Sequence, residues 1–351
     1  MSVIPDWATA HGDRLFDASI RSTPTDFVVT ERCDIEFSGE GEHDYLWVEK
    51  TGNNTQWVVE QFARHAGVPQ RDVGFAGMKD RHAVTYQWFS VRRAADIDWS
   101  ALSVEGVRIL EQQRHRRKLK RGAHKGNSFR IALRNDAIEE HRESIDERLS
   151  VVSKLGVPNY FGEQRFGRDG NNIKLCKRVF AGQKMSRSKR GIALSAARSL
   201  IFNAILQQRV RDGSWQTILP GELANLDGSG SVFTVDDVTP ELVVRCTEQD
   251  IHPSASLWGE DSPRGSLQVA VLEAAVAESL PEISKGIVAA RMAAASRALR
   301  LRVLKLNWEL EPGVLWLEFE LMKGGYATAV LRELAHASRS NTYTAPVPPS
   351  T

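Results

Sequence analysis

Both ends of this 351-residue chain alternate with period two, while its middle carries apolar residues at helical spacing. Near the C-terminal end, Leu315, Leu317, Phe319 and Leu321 alternate with Trp316, Glu318 and Glu320. Toward the other end, Phe27 and Val29 share a face opposite Val28, and Ser128–Leu133 alternates in the same way. Period two gives a strand one core face and one wetted face, whereas period 3.6 gives a helix an apolar stripe. The chain therefore reads as α+β, with strand-rich ends and a helical middle inserted into a discontinuous domain.

Local signals fill in the elements. Strands are expected at Thr25–Cys33 and Glu42–Lys50, followed by a turn at Gly52–Asn54. Asn54 or Thr55 caps a helix bearing Trp57, Val58 and Phe62, with Gly67 at its C-terminal turn. The run from Val73 to Val91 reads as strand, charged loop (Lys79, Asp80, Arg81), strand. A helix from Asp136 to Gly156 places Ile138, Ile145, Leu149, Val152 and Leu155 on one stripe. Leu194, Ala197, Ile201, Ile205 and Gln208 mark another, closed near Gly213. Leu267–Leu280 and Ile287–Leu299 read as helices separated at Pro281, Val303–Leu310 as a strand, and Thr328–Ser338 as a final helix. The last eleven residues hold three prolines and no charge and are expected to fray.

The net charge of +2 conceals a segregation. Glu111–Arg134 alone carries +8 and Val151–Ile205 carries +9, leaving an acidic remainder. Two basic faces on an acidic body fit a polyanionic partner, and they equally fit solvated surfaces with acidic neighbours. No stretch approaches the roughly 20 apolar residues of a membrane helix, and Met1–Asp13 lacks the apolar core of a secretory signal. Three scattered cysteines, Cys33, Cys176 and Cys246, form no disulfide framework and suit a reducing cytoplasm. The chain lacks a G-x-x-x-x-G-K-[ST] loop, a G-x-G-x-x-G turn, a G-x-S-x-G elbow and any H-x-x-x-H or C-x-x-C spacing. Phosphoryl transfer, dinucleotide chemistry, serine hydrolysis and zinc catalysis all lose ground.

What remains is Asp80, between Lys79 and Arg81 in a loop preceded by Gly77. A carboxylate of ordinary pKa near ~3.9 is ionised at pH 7 and serves as nucleophile or base without a metal. It serves as well as a turn residue in a solvated ion pair, and spacing alone does not separate the two. Phe27, Phe129, Phe161 and Tyr326 lie beside polar residues or glycine, as base-stacking platforms do and as strand ends do. Asn127 either contacts a base edge or caps the turn after Gly126.

Taken together, the motifs TPTDFVV (Thr23–Val29), GFAGMKDRHAVTYQWFSV (Gly74–Val91) and RHRRKLKRGAHKGNSFRIALR (Arg114–Arg134) resemble the TruD-type tRNA pseudouridine synthases. GVPNYFGEQRFG (Gly156–Gly167), LSAARSLIFN (Leu194–Asn203) and GGYATAVLREL (Gly324–Leu334) extend the resemblance in the family's order. It runs from about Ile20 to Leu334 and is weakest between Ser214 and Leu310.

The resemblance implies a catalytic domain with a mixed, largely antiparallel sheet flanked by helices, at residues 1–153 and 304–351. An α/β insertion domain at residues 154–303 interrupts it. It implies isomerisation of uridine 13 in tRNA to pseudouridine, in the cytoplasm, with no cofactor, no metal and no need for more than a monomer. Asp80 falls on the catalytic aspartate, which attacks ribose C1′ or removes the C2′ proton. Arg21 stands where family members often carry lysine, a departure that keeps the charge and changes its shape. Phe27, Asn127 and Tyr326 match positions lining the uridine, Tyr326 often being phenylalanine there, and Phe129 is the expected platform for the flipped base. The two basic segments become walls of an RNA cleft. The competing expectation is an inactive RNA-binding protein on the same fold, against which the intact Asp80 motif argues.

Overall fold

The structure is a computed structural model describing residues 4–93 and 96–339. The tail expected to fray, residues 341–351, lies outside them. The described chain forms two compact units. One comprises Leu15–Asp146, Leu304–Gly325 and the chain from Ala335 onward, and the other Met1–Arg14, Glu147–Val303 and Tyr326–Leu334. Compactness thus groups the N-terminal segment, residues 147–153 and residues 326–334 with the middle of the chain.

The first unit is built on a ten-stranded mixed sheet. Its main path runs Leu304–Glu311, Val314–Met322, Gly126–Arg134, Phe27–Arg32, Val84–Arg92, His43–Thr51, Val107–His115. Neighbours on this path are antiparallel except Phe27–Arg32 against Val84–Arg92, where Val29 pairs with Thr85. The register fixes which side chains share a face, because directly paired residues project the same way. Phe129 pairs with both Val29 and Phe319, Asn127 with both Glu31 and Leu321, and Thr85 with Lys50. One face therefore carries Phe129, Phe319, Val29, Glu31, Asn127, Thr85, Gln87, Lys50, Val48 and Leu46.

Part of that face is covered by the helix Thr55–His65. Asn54 caps it, its side chain accepting from the Trp57 amide at 2.8 Å, and Gly67 beyond its end takes φ +64°. Val58, Val59 and Phe62 of the helix bury against Leu46, Val48, Phe75 and Phe89 of the sheet. The opposite face packs Tyr45, Trp88 and Leu119 together.

The second unit centres on the helix Arg187–Arg211, with Asn171–Phe180, Leu267–Glu278 and Pro281–Ala289 around it. Leu194, Ala197, Ile201 and Ile205 lie in its core as their spacing predicts. A three-stranded sheet of Glu222–Leu226, Val232–Val235 and Ile251–His252 completes it, tied to the helix by a buried Arg209–Glu222 pair at 2.9 Å.

Several elements differ from the sequence reading. Residues 24–26 form a 3-10 turn before the first expected strand, with Pro24 at its start. The helix after Asp136 is a 3-10 turn followed by Arg142–Leu155, and Leu155 is exposed. Pro281 does separate two helices, Leu267–Glu278 and Pro281–Ala289, and it begins the second, where its missing N–H is an orphan anyway. That helix ends at Ala289, and Ala295–Ala298 pairs as a strand with Ser254–Leu257 despite its alanine-rich sequence. The final helix spans only Ala327–Arg332. Ala335–Arg339 instead pairs in parallel with Phe16–Ile20, a short alternating strand that sequence reasoning passed over.

Phe62 is fully buried, with Phe89 and Trp99 edge-on at 5.2 and 5.6 Å. Phe62→Ala should cost about 3–5 kcal/mol and lower the urea midpoint of the sheet unit. An unchanged midpoint would show that the helix Thr55–His65 contributes little to that unit.

Candidate active site

The loop after Val73–Phe75 crosses the sheet face at the point where the apolar pattern is interrupted by charge. Glu31 follows Phe27 and Val29 in the inward phase of its strand, and Lys50 follows Leu46 and Val48 in theirs. Both are buried, Lys50 completely. An unpaired charge in such a place would cost several kcal/mol, so each has a partner in the loop. Lys79 Nζ donates to Glu31 Oε2 at 2.7 Å. Lys50 Nζ donates to the carbonyl oxygens of Asn53 at 2.8 Å and Asp80 at 3.1 Å. The Lys79 amide donates to Thr55 Oγ1 at 2.9 Å, and Gln87 Nε2 donates to the Gly77 carbonyl at 3.1 Å. Gly77 lets this pair pass close to the backbone: a Cβ there would lie 2.9 Å from Lys79 Nζ and 3.3 Å from Glu31 Oε2, so the ion pair would have to shift.

These anchors fix Asp80, whose side chain keeps 21% exposure against 7% for Arg21. Arg21 Nη1 lies 3.0 Å from Asp80 Oδ2, and Oδ1 accepts from the His82 amide at 3.0 Å. The Arg21 guanidinium also lies over the Phe27 ring, 4.2 Å from its centroid. Arg21 has φ +59°, a left-handed conformation that costs a non-glycine residue about 1–2 kcal/mol. Such strain persists where the surroundings over-determine it, here an arginine gripped by an aromatic ring on one side and a carboxylate on the other.

Arg21, Phe27 and Asp80 are thus brought together. Phe129 lies in an aromatic row, stacked on Phe319 at 5.3 Å and 26° and meeting Phe27 at 6.4 Å and 79°. It is 8% exposed, so one of its ring faces is already taken. Asn127 is one step along the same strand face, and its Oδ1 is buried without a hydrogen-bond partner among the described residues. A buried orphan acceptor is rare enough to call for an explanation. Tyr326 belongs to the second unit, where its hydroxyl accepts from Arg165 Nη2 at 2.6 Å and its ring meets Phe161 edge-on at 5.9 Å.

Sequence reasoning did not single out Glu31, Lys50 or Gln87, although a charge in the apolar phase of a strand was a readable signal for the first two. Among the described residues, no three His, Cys, Asp or Glu side chains are grouped as metal ligands, and no helix is long and apolar enough to cross a membrane.

Fold and site together define an α+β protein with a mixed sheet, presenting a partly exposed, arginine-held aspartate on a tightly anchored loop. The family profile for tRNA pseudouridine synthase D (TruD) matches residues 12–189 and 177–334. The chain is 43% identical over 334 residues to tRNA pseudouridine synthase D of Methylococcus capsulatus, covering 94% of each. With the Psychrobacter arcticus tRNA pseudouridine synthase D it shares 40% identity over 374 residues, covering 94% of this chain and 93% of the relative. A crystal structure assigned to tRNA pseudouridine synthase D from Methanosarcina mazei superposes with a TM-score of 0.67 at 21% identity, covering 95% of each chain. That likeness shows the fold alone. The chain belongs to the tRNA pseudouridine synthase D (TruD) family.

Burial pushes the Lys50 ammonium down to about 8, against ~10.4 for an unfolded lysine. Between those values the unfolded chain holds a proton the folded chain has lost, so stability to unfolding rises with pH across that window. Below about 8 both states are protonated and the burial penalty is fully present. Denaturant titrations from pH 7.5 to 10.5 should show this rise in the wild type and a flatter profile in Lys50→Met. Equal slopes in the two proteins would mean that Lys50 does not titrate there.

Proposed function

We propose that this chain isomerises uridine 13 of tRNA to pseudouridine, in the cytoplasm and as a monomer, with Asp80 acting on the ribose. The observation that carries the reading is the Arg21–Asp80 geometry. Its carboxylate is positioned at both oxygens by donors from its own chain and is still partly open to solvent. Its partial exposure is the side from which a sugar carbon or proton would be reached.

In the first of two routes, an Asp80 oxygen forms a bond to C1′ as the C1′–N1 bond breaks, and the electron pair leaves with the uracil. The base rotates, C5 attacks C1′ as the carboxylate departs with the bonding pair, and C5 loses its proton while N1 gains one. In the second, Asp80 takes the C2′ proton as the C1′–N1 bond breaks, giving a glycal and the uracil anion. C5 then bonds to C1′ as the proton returns to C2′, and C5 loses a proton while N1 gains one. Both need only a fixed carboxylate that is anionic and a detached base held in place.

Holding the base falls to the row beside Asp80. The Asn127 Oδ1, buried and without a partner, matches the N3–H donor of uracil. Phe129, packed between Phe319 and Phe27, is the platform assigned to the base in this reading, a role in which stacking contributes about 1–3 kcal/mol. Flipping the nucleotide out of its stack costs a few kcal/mol, offset by such contacts. In this reading residues 1–153 and 304–351 constitute the catalytic domain and residues 154–303 the insertion. The three cysteine thiols are free, and burial pushes all three up, which suits a reducing compartment.

Asp80→Asn keeps the volume and removes the nucleophile and base. On unmodified tRNA, mapping should show pseudouridine at position 13 with wild type only, while the variant binds tRNA within a few fold of wild type. Product formed by Asp80→Asn would remove Asp80 from the chemistry. Product at another position would overturn the assignment to uridine 13.

A further inference from the structure

The basic segment after Arg114 is not a loose surface run. Leu119 is its buried anchor, with its amide donating to Ser90 Oγ at 2.9 Å. The Arg117 carbonyl accepts from the Tyr45 hydroxyl at 2.9 Å, and the Gly122 amide donates to the Ala76 carbonyl at 2.8 Å. Lys118 Nζ reaches the Arg71 carbonyl. Gly74 makes the packing possible, since a Cβ there would lie 2.4 Å from the Leu119 carbonyl oxygen. The segment is therefore pinned across the short strand Val73–Phe75, with cations on both sides of Leu119.

Between this segment and the helix Thr55–His65 lies an open groove of about 400 Å³. Val59, Val73, Phe75 and Leu119 line it with buried apolar surface, and Arg71, Lys118, Lys120 and Arg121 line it with charge. The Arg121 guanidinium carbon lies over the Phe75 ring, 3.4 Å from its centroid. Among the described residues none of these four cations is ion-paired to a carboxylate. Arg116 and Arg130, in the same segment but outside the groove, are paired with Glu40 and Glu318. Four exposed cations with no carboxylate ion pair among the described residues, gathered around an apolar floor, make a surface suited to an anionic ligand.

We propose that this groove binds the sugar–phosphate backbone of the RNA substrate, away from the reacting nucleotide. The inference rests on the proposed action on tRNA. It favours RNA over an acidic protein because of position: Phe75 precedes Asp80 by five residues, which span at most about 17 Å. An RNA with one nucleotide at Asp80 has backbone within reach of the groove, and nothing ties an acidic protein to that distance. Arginine forks and lysine ammoniums contacting phosphates carry no sequence information, so the groove contributes affinity and register.

The test compares wild type, Arg71→Ala/Lys120→Ala/Arg121→Ala, Arg71→Lys/Arg121→Lys and Arg116→Ala. Unmodified tRNA is titrated across salt concentrations, and turnover is measured alongside. The triple variant should bind tRNA about tenfold or more weakly. Its salt slope should be shallower by roughly two to three, at 0.7–0.9 per lost phosphate contact. KM should rise with kcat at saturating tRNA unchanged. The double lysine variant should keep most of the affinity, and Arg116→Ala should stay within about twofold of wild type. Wild-type binding and modification with an unchanged triple variant would overturn the groove and leave the proposed function standing. So would losses of equal size in Arg116→Ala and the triple variant, which would reduce the effect to general charge. A wild type that does not bind tRNA would bring down both.

Discussion

A lysine and a glutamate out of water, Lys79 and Glu31 at 2.7 Å, hold together everything around Asp80. Glu31 sits on the core face of a central strand, where an uncompensated carboxylate would be driven back toward solvent or neutralised. Lys79 compensates it, and Lys79 is the residue before Asp80. The cost of desolvating the sheet charge thus becomes a restraint on the loop. Lys50 adds a second restraint from the neighbouring strand by donating to the Asp80 carbonyl. The loop spans the sheet with its backbone held at Gly77, Lys79, Asp80 and His82. Little freedom is left to lose when substrate arrives, the general advantage of a preorganised site.

The same constraint orders the surrounding residues. A side chain at Gly77 would press on the ion pair and shift it. Arg21 accepts a left-handed backbone because Phe27 and Asp80 grip its guanidinium from two directions. Its planar fork stacks on Phe27 while its edge meets the carboxylate, which a compact ammonium would do less well.

Much of this was legible in the strand patterns. Phe27-x-Val29 and Leu315-x-Leu317-x-Phe319-x-Leu321 announced their faces, and Asn54 with Gly67 announced a helix with both its ends. Asp80 was legible as chemistry only through the surrounding motif, since a lone turn aspartate between two cations has no distinguishing period or spacing. Glu31 and Lys50 were legible in principle, as charges in the apolar phase of their strands. Their meaning depended on the partners they meet, forty-eight and thirty residues away along the chain. Phe129 was readable as an aromatic at a strand position, but its stacking on Phe319 follows from a pairing between distant strands.

By itself the sequence determined the elements whose signals are local: alternating strands, the capped helix, the long central helix and the charged loop between two strands. Only the tertiary structure decided the rest. Ala335–Arg339 becomes a strand because Phe16–Ile20 lies ready to pair with it in parallel. Ala295–Ala298 leaves the helix its alanines favour because Ser254–Leu257 offers a ladder. Backbone hydrogen bonds to a distant strand outweigh propensities of less than about 1 kcal/mol per residue. Which charges are buried, and hence which loop is rigid, is settled by cross-strand register, a relation between segments that no single segment carries.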